Sequence, residues 1–85
     1  MPELFDILKD RKVAPKPESY TAKLFADRNM LLKKIMEEAF EVATYRDRAN
    51  LRWEIADLVY FISVLAADEG IDWKEIESER ASRRR

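Results

Sequence analysis

"LRWEIADLVYFISVLAADEG", residues 51–70, decides the fold. Residues 51–68 contain neither Pro nor Gly, and their middle is apolar nearly all round: Ile55, Leu58, Val59, Tyr60, Phe61, Ile62, Val64 and Leu65. A helix with so little polar face belongs in a core. Gly70 is placed to end this helix, and Asp72 to N-cap a short last one, "WKEIESERA" at 73–81. Two acids interrupt the apolar pattern. Glu54 and Asp57 are three residues apart and share the face of Leu58, Phe61 and Leu65, so both point inward. A buried carboxylate is costly unless it is neutralised, hydrogen-bonded or metal-bound.

Upstream, a second helix is expected from Ala22 or Asn29 to Tyr45. Leu32, Ile35, Met36, Ala39, Val42 and Ala43 form its apolar stripe. "EEAFE" at 37–41 places Glu38 at the border of that stripe beside Ile35 and Val42, with Glu41 on the adjacent side of the same turn and Glu37 further round. "RDRAN" at 46–50 reads as a polar connection. Nearer the N-terminus, Leu4, Ile7 and Leu8 give "PELFDILKDRK" at 2–12 a short amphipathic first helix. Pro15 and Pro17 then break the chain, and "ESYTAKLF" at 18–25 offers hydroxyls for capping a helix or gripping a ligand. The expected fold is all-α: one small helical domain over 1–85, with residues 80–85 as a flexible basic tail.

Composition narrows the chemistry. Of the 85 residues, 47% are hydrophobic and 39% charged, with one Gly and three Pro, which favours helices over sheet or disorder. So short a chain buries only about 60% of its unfolded surface, so association between copies is expected. A net charge of -1 gives no global pull toward nucleic acid or membrane. No apolar run reaches the ~20 residues of a membrane span, and the first residues lack a signal-peptide pattern, so the expectation is a soluble cytoplasmic protein. The absence of Cys and His removes thiolate and imidazole chemistry, leaving any metal to oxygen ligands.

Antiparallel pairing of the second and third helices brings Glu38 and Glu41 opposite Glu54 and Asp57. Four converging carboxylates suit Mg²⁺, a hard cation that commonly bridges to substrate phosphates. A di-iron carboxylate bundle would need Glu-x-x-His motifs, which this chain does not have. With Mg²⁺ the chemistry narrows to phosphoanhydride hydrolysis, and Glu37 is available to orient or deprotonate a water. A different reading stays open. Glu37, Glu38 and Glu41 also fit a solvated face paired with Lys33, Lys34 and Arg46, in a helical module that dimerises through its apolar helix.

The pattern "E-E-x-x-E" at 37–41 followed by "E-x-x-D" at 54–57 resembles the MazG-type all-α nucleotide pyrophosphohydrolases. "DRKVAPKPESYTAKLF", "LKKIMEEAFEV", "EIADLVYFISVLAADEGI" and "SRRR" are similar, almost end to end, to the phosphoribosyl-ATP pyrophosphatases of histidine biosynthesis within that superfamily. The resemblance implies hydrolysis of phosphoribosyl-ATP to phosphoribosyl-AMP and diphosphate with Mg²⁺. It implies a bundle completed by dimerisation, as a homodimer or dimer of dimers, with a phosphoribosyl-AMP cyclohydrolase as functional neighbour. Metal binding falls to Glu38, Glu41, Glu54 and Asp57, with Glu37 assisting as ligand or base. Ser19, Tyr20, Thr21 and Lys23 match the substrate-side stretch, and Lys33 and Lys34 match basic positions before the acidic motif. Met36 and Phe61 depart from the family pattern, which often has Gly and His there. The same acids would also serve a house-cleaning enzyme for non-standard nucleoside triphosphates.

Overall fold

The computed structural model describes residues 3–4, 7–8 and 19–83. Among them the chain is helical, with α1 Tyr20–Ala26, α2 Arg28–Ala43, α3 Arg48–Asp68 and α4 Trp73–Ser82. Glu3, Leu4, Ile7 and Leu8 are also helical, in keeping with the expected first helix, whose remaining residues lie outside the described set, as do 13–18 of the Pro-containing loop. The core is built where Leu8, Leu24 and Leu31 meet Phe61, Val64 and Ala67, with Leu4, Phe25, Met30, Ile35, Tyr60 and Leu65 packed around them. Among the described residues no helix is long and apolar enough to cross a membrane.

The spacing leaves the start of the second helix open between Ala22 and Asn29, and Asp27 resolves it. Its backbone leaves the helical region at φ -130° and ψ 89°. Its N–H donates to Lys23 O at 3.0 Å, ending α1, and its carboxylate accepts from Met30 N at 3.1 Å, starting α2. Asp competes with the helical backbone for hydrogen bonds, so it favours caps over interiors.

The apolar stripe of α2 is rotated from the expected one. Leu31 is fully buried and Ile35 packs on the core, whereas Leu32, Met36, Ala39 and Phe40 face outward. Helical spacing allows either series, Leu31–Ile35 or Leu32–Met36. Leu8 and Leu24 fill the space against Leu31 and so decide between them.

The connection is also shorter than "RDRAN" suggests. Asp47 accepts from Asn50 N at 2.8 Å as an N-cap, so 48–50 belong to α3 and only 44–47 separate the two long helices. Arg28, at the start of α2, binds Asp68 Oδ2 at 3.2 Å and also Glu69, at the far end of α3. The two helices are therefore antiparallel.

Along α3, the expected core helix, Phe61, Ser63, Val64, Ala66 and Ala67 are buried. Ser63 satisfies its hydroxyl by donating to Val59 O at 2.7 Å. Ile55 and Ile62, expected inside, are each 44% exposed on its outer side.

Gly70 ends α3 as expected. Ile71 N donates to Ala66 O at 2.8 Å and Gly70 N to Ala67 O at 3.1 Å, the two bonds of a Schellman cap. Asp72 and Glu75 then form a capping box that opens α4. Residues 80–82, expected in a flexible tail, continue this helix. Arg80 pairs with Glu77 at 3.1 Å and Arg83 with Glu79 at 2.7 Å, one helical turn apart, and such pairs support a terminal turn. Arg84 and Arg85 lie outside the described residues.

Gly70 carries the backbone at φ +70°, and a Cβ added there would meet nothing within 4 Å. The penalty for a side chain is thus conformational. Gly70→Ala is expected to lower unfolding free energy by about 1–2 kcal/mol, with Gly70→Asn losing less, as read from urea denaturation.

Candidate active site

The antiparallel register that sets Leu31 in the core also sets α2 against the first half of α3 one and two turns further on. Glu38, two turns beyond Leu31, meets Glu54 and Asp57 there. One carboxylate oxygen from each of the three lies within 4.8 Å of the others. All three residues are partly buried. Two full charges at such a distance repel by roughly 3–4 kcal/mol at an effective dielectric constant of ~20, so the group is unstable without compensation.

Glu38 bears most of that strain. Its Oε2 is buried and accepts no hydrogen bond. Burial, foremost, raises its carboxyl from 4.5 to about 7, followed by a hydrogen bond with Glu54 and by the charges of Asp57, Glu54 and Glu41. Two carboxylates can share a hydrogen bond only with a proton between them, which is why this contact favours the neutral form. Among the described residues, no Lys or Arg is ion-paired with Glu38, Glu54 or Asp57. Three converging carboxylates, one of them with an orphaned oxygen, fit a hard divalent cation, which would replace the missing counter-charge. The site sits beside a groove of about 410 Å³ lined by Arg46, Asp47, Ala49, Asn50, Trp53 and Glu54, which leaves Glu54 open to a ligand.

The other predicted residues divide into two sets. Glu41 is exposed and stands outside the close trio, although its charge acts on Glu38. Glu37 is exposed and lies 3.4 Å from Lys34 Nζ, while Lys33 and Lys23 are exposed. On α1, Ser19 Oγ accepts from Ala22 N at 3.0 Å and caps the helix. Thr21 Oγ1 and Tyr60 OH share a hydrogen bond at 2.6 Å, and Tyr20 sets its ring edge-on to Phe61 at 6.2 Å. The structure therefore brings together Glu38, Glu54 and Asp57, and places the hydroxyls of Ser19 and Thr21 and the ring of Tyr20 in contacts that fix α1.

One residue at the site escaped the motif reading. Asn50 Nδ2 donates to Glu54 Oε1 at 3.3 Å while its Oδ1 accepts from Arg46 N at 2.9 Å, tying the turn to the carboxylates. An amide one turn before Glu54 was the available signal. Away from the acids, Tyr60, read only as a core residue, has an unforeseen partner in Thr21.

A model of the phosphoribosyl-ATP pyrophosphohydrolase family matches residues 1–84. The chain belongs to this family. Its acidic motifs and "SYTAKL" stretch thus carry a resemblance that is borne out. The chain is 41% identical to a histidine biosynthesis bifunctional protein of Thermotoga maritima, over 98% of this chain and 44% of that protein. It is 38% identical to a phosphoribosyl-ATP pyrophosphatase of Lactiplantibacillus plantarum, over 98% of this chain and 82% of that one. A histidine biosynthesis trifunctional protein of Candida albicans is 36% identical over 91% of this chain and 9% of its own length. The chain therefore spans less than half of the bifunctional relative and a small part of the trifunctional one. No solved structure matches it.

The pH dependence of stability follows from Glu38. The folded chain holds this proton more tightly than the unfolded chain, so its stabilising contribution is complete below 4.5 and lost as pH rises through about 7. In chelator, the melting temperature is expected to fall across that interval. Glu38→Gln should flatten that part of the profile in the same thermal melts.

Proposed function

We propose that this protein hydrolyses phosphoribosyl-ATP to phosphoribosyl-AMP and diphosphate with Mg²⁺, the second step of histidine biosynthesis. The observation that carries the reading is the convergence of the Glu38, Glu54 and Asp57 carboxylates, with a buried, unpartnered oxygen on Glu38, in a member of this family. Glu38, Glu54 and Asp57 would hold the cation, with Glu41 as a fourth acid at the open edge. When bound, Mg²⁺ supplies neutralising charge at phosphate oxygens and lowers the pKa of an attacking water.

The chain's own groups do the rest. Glu37 and Glu41, exposed on the same helix, are the carboxylates available to orient that water and accept its proton. Ser19, Tyr20, Thr21 and Lys23 form the substrate side on α1, while Lys33 and Lys34 add positive charge for the phosphates. Lys34 also holds Glu37 in place.

A homodimer, or a dimer of dimers, completes the bundle in this reading. Met36, Trp53 and Phe40 are 73%, 69% and 64% exposed, apolar surface that a second copy would cover. The cytoplasm is the proposed location. A phosphoribosyl-AMP cyclohydrolase is the proposed functional neighbour, in keeping with relatives that are bifunctional proteins of histidine biosynthesis.

Purified protein with Mg²⁺ is expected to release diphosphate from phosphoribosyl-ATP, and Glu38→Ala or Asp57→Asn to lower kcat/KM at least ~100-fold. Release no greater than from the Glu38→Ala control would sink the proposal. Faster hydrolysis of non-standard nucleoside triphosphates would assign the same site to nucleotide house-cleaning instead. Mg²⁺ is further expected to raise the melting temperature of the wild type and not of Glu54→Gln. A Glu54→Gln variant that is simply more stable, in a protein indifferent to Mg²⁺, would favour the interaction module.

A further inference from the structure

α1 lies alongside α3 and runs in the same direction, because Thr21 meets Tyr60 at one end and Arg28, just past α1, reaches Asp68 and Glu69 at the other. The first turn of α1 is consequently the end nearer Asp57. On α3, Tyr60 follows Asp57 by three residues, which places it on the same face and ~4.5 Å further along the axis.

Three kinds of contact hold this first turn. Leu24 is fully buried in the core beneath it, and the Tyr20 ring meets Phe61 at 6.2 Å with an interplanar angle of 75°. The third is the hydrogen bond between Thr21 Oγ1 and Tyr60 OH, 2.6 Å long and partly buried. Apolar packing tolerates rotation of a short helix about its own axis, whereas a short hydrogen bond between two side chains fixes that rotation. Tyr60 does not need its hydroxyl to fill space, since its ring already packs on Phe61 at 5.2 Å. Net stabilisation from one such bond is small, so its effect is chiefly one of orientation.

We infer that Tyr60 is a positioning residue: through Thr21 it sets the rotation of α1, and so the direction in which Ser19, Tyr20 and Lys23 face a phosphorylated nucleoside substrate held at the carboxylates. The inference rests on the proposed pyrophosphohydrolase activity, with α1 as its substrate side. The described hydrogen bond of Tyr60 goes to Thr21 and not to the acids, so Tyr60 governs binding rather than the chemical step.

The experiment is steady-state kinetics with phosphoribosyl-ATP on the wild type, Tyr60→Phe, Thr21→Val and the double variant, at a temperature well below each melting point. Tyr60→Phe should raise KM by ~3- to 10-fold while kcat stays within ~2-fold of the wild type, and the double variant should be no worse than the worse single one. Thr21 itself lies on the substrate side, so Thr21→Val is read through the double-variant cycle, in which a direct substrate contact would add to the effect of Tyr60→Phe. An unchanged KM with only a lower melting temperature would overturn the inference, because the bond would then be purely structural. So would a fall in kcat at constant KM, or additive effects in the double variant. A wild type that does not hydrolyse phosphoribosyl-ATP overturns both this inference and the proposed function, whereas an active wild type with an indifferent Tyr60→Phe overturns this inference alone.

Discussion

The antiparallel packing of α2 on α3 fixes everything else, and it is a single register. Leu31 lies in the core with Phe61 and Val64, and the same alignment carries Glu38 to Glu54 and Asp57. Slipping one helix by a residue would rotate Leu31 out of the core and Glu38 away from its two neighbours together. Apolar burial at one end of the pair therefore holds together like charges at the other, which would separate if left to themselves. The 44–47 turn, capped by Asp47 and tied through Asn50 to Glu54, leaves little slack for such a slip.

The acids illustrate why some of this was legible in the sequence. Glu54 and Asp57 share a face with residues that must be buried, so their inward direction follows from helical spacing alone. Glu38 needed more, because its neighbours permit two apolar stripes about one residue's rotation apart. Choosing Leu31 over Leu32 requires knowing that Leu8 and Leu24 pack against it, which is tertiary information. Gly70 and Asp72 were readable because caps are local devices with their own residue chemistry. Asp27 was local too, yet the surrounding helical pattern ran on past it and hid the break.

The hydroxyls of "SYTAKL" show the opposite limit. A short run of polar residues after prolines signals contact with something, and spacing cannot say with what. In the structure Ser19 caps its own helix and Thr21 reaches Tyr60, thirty-nine residues away in sequence. Such a pair has no local signature. Likewise, the exposed Leu32 and Met36 read in sequence as core, because hydrophobicity does not distinguish a residue buried by its own chain from one left for another surface.

Asp27 also joins two parts of the molecule mechanically. Its main chain closes α1 and its side chain opens α2, so no flexible linker separates the helix bearing the "SYTAKL" residues from the helix bearing Glu38. The two helices form one bent element with Asp27 as its elbow. One residue thus sets where the first arm stops and how the second begins.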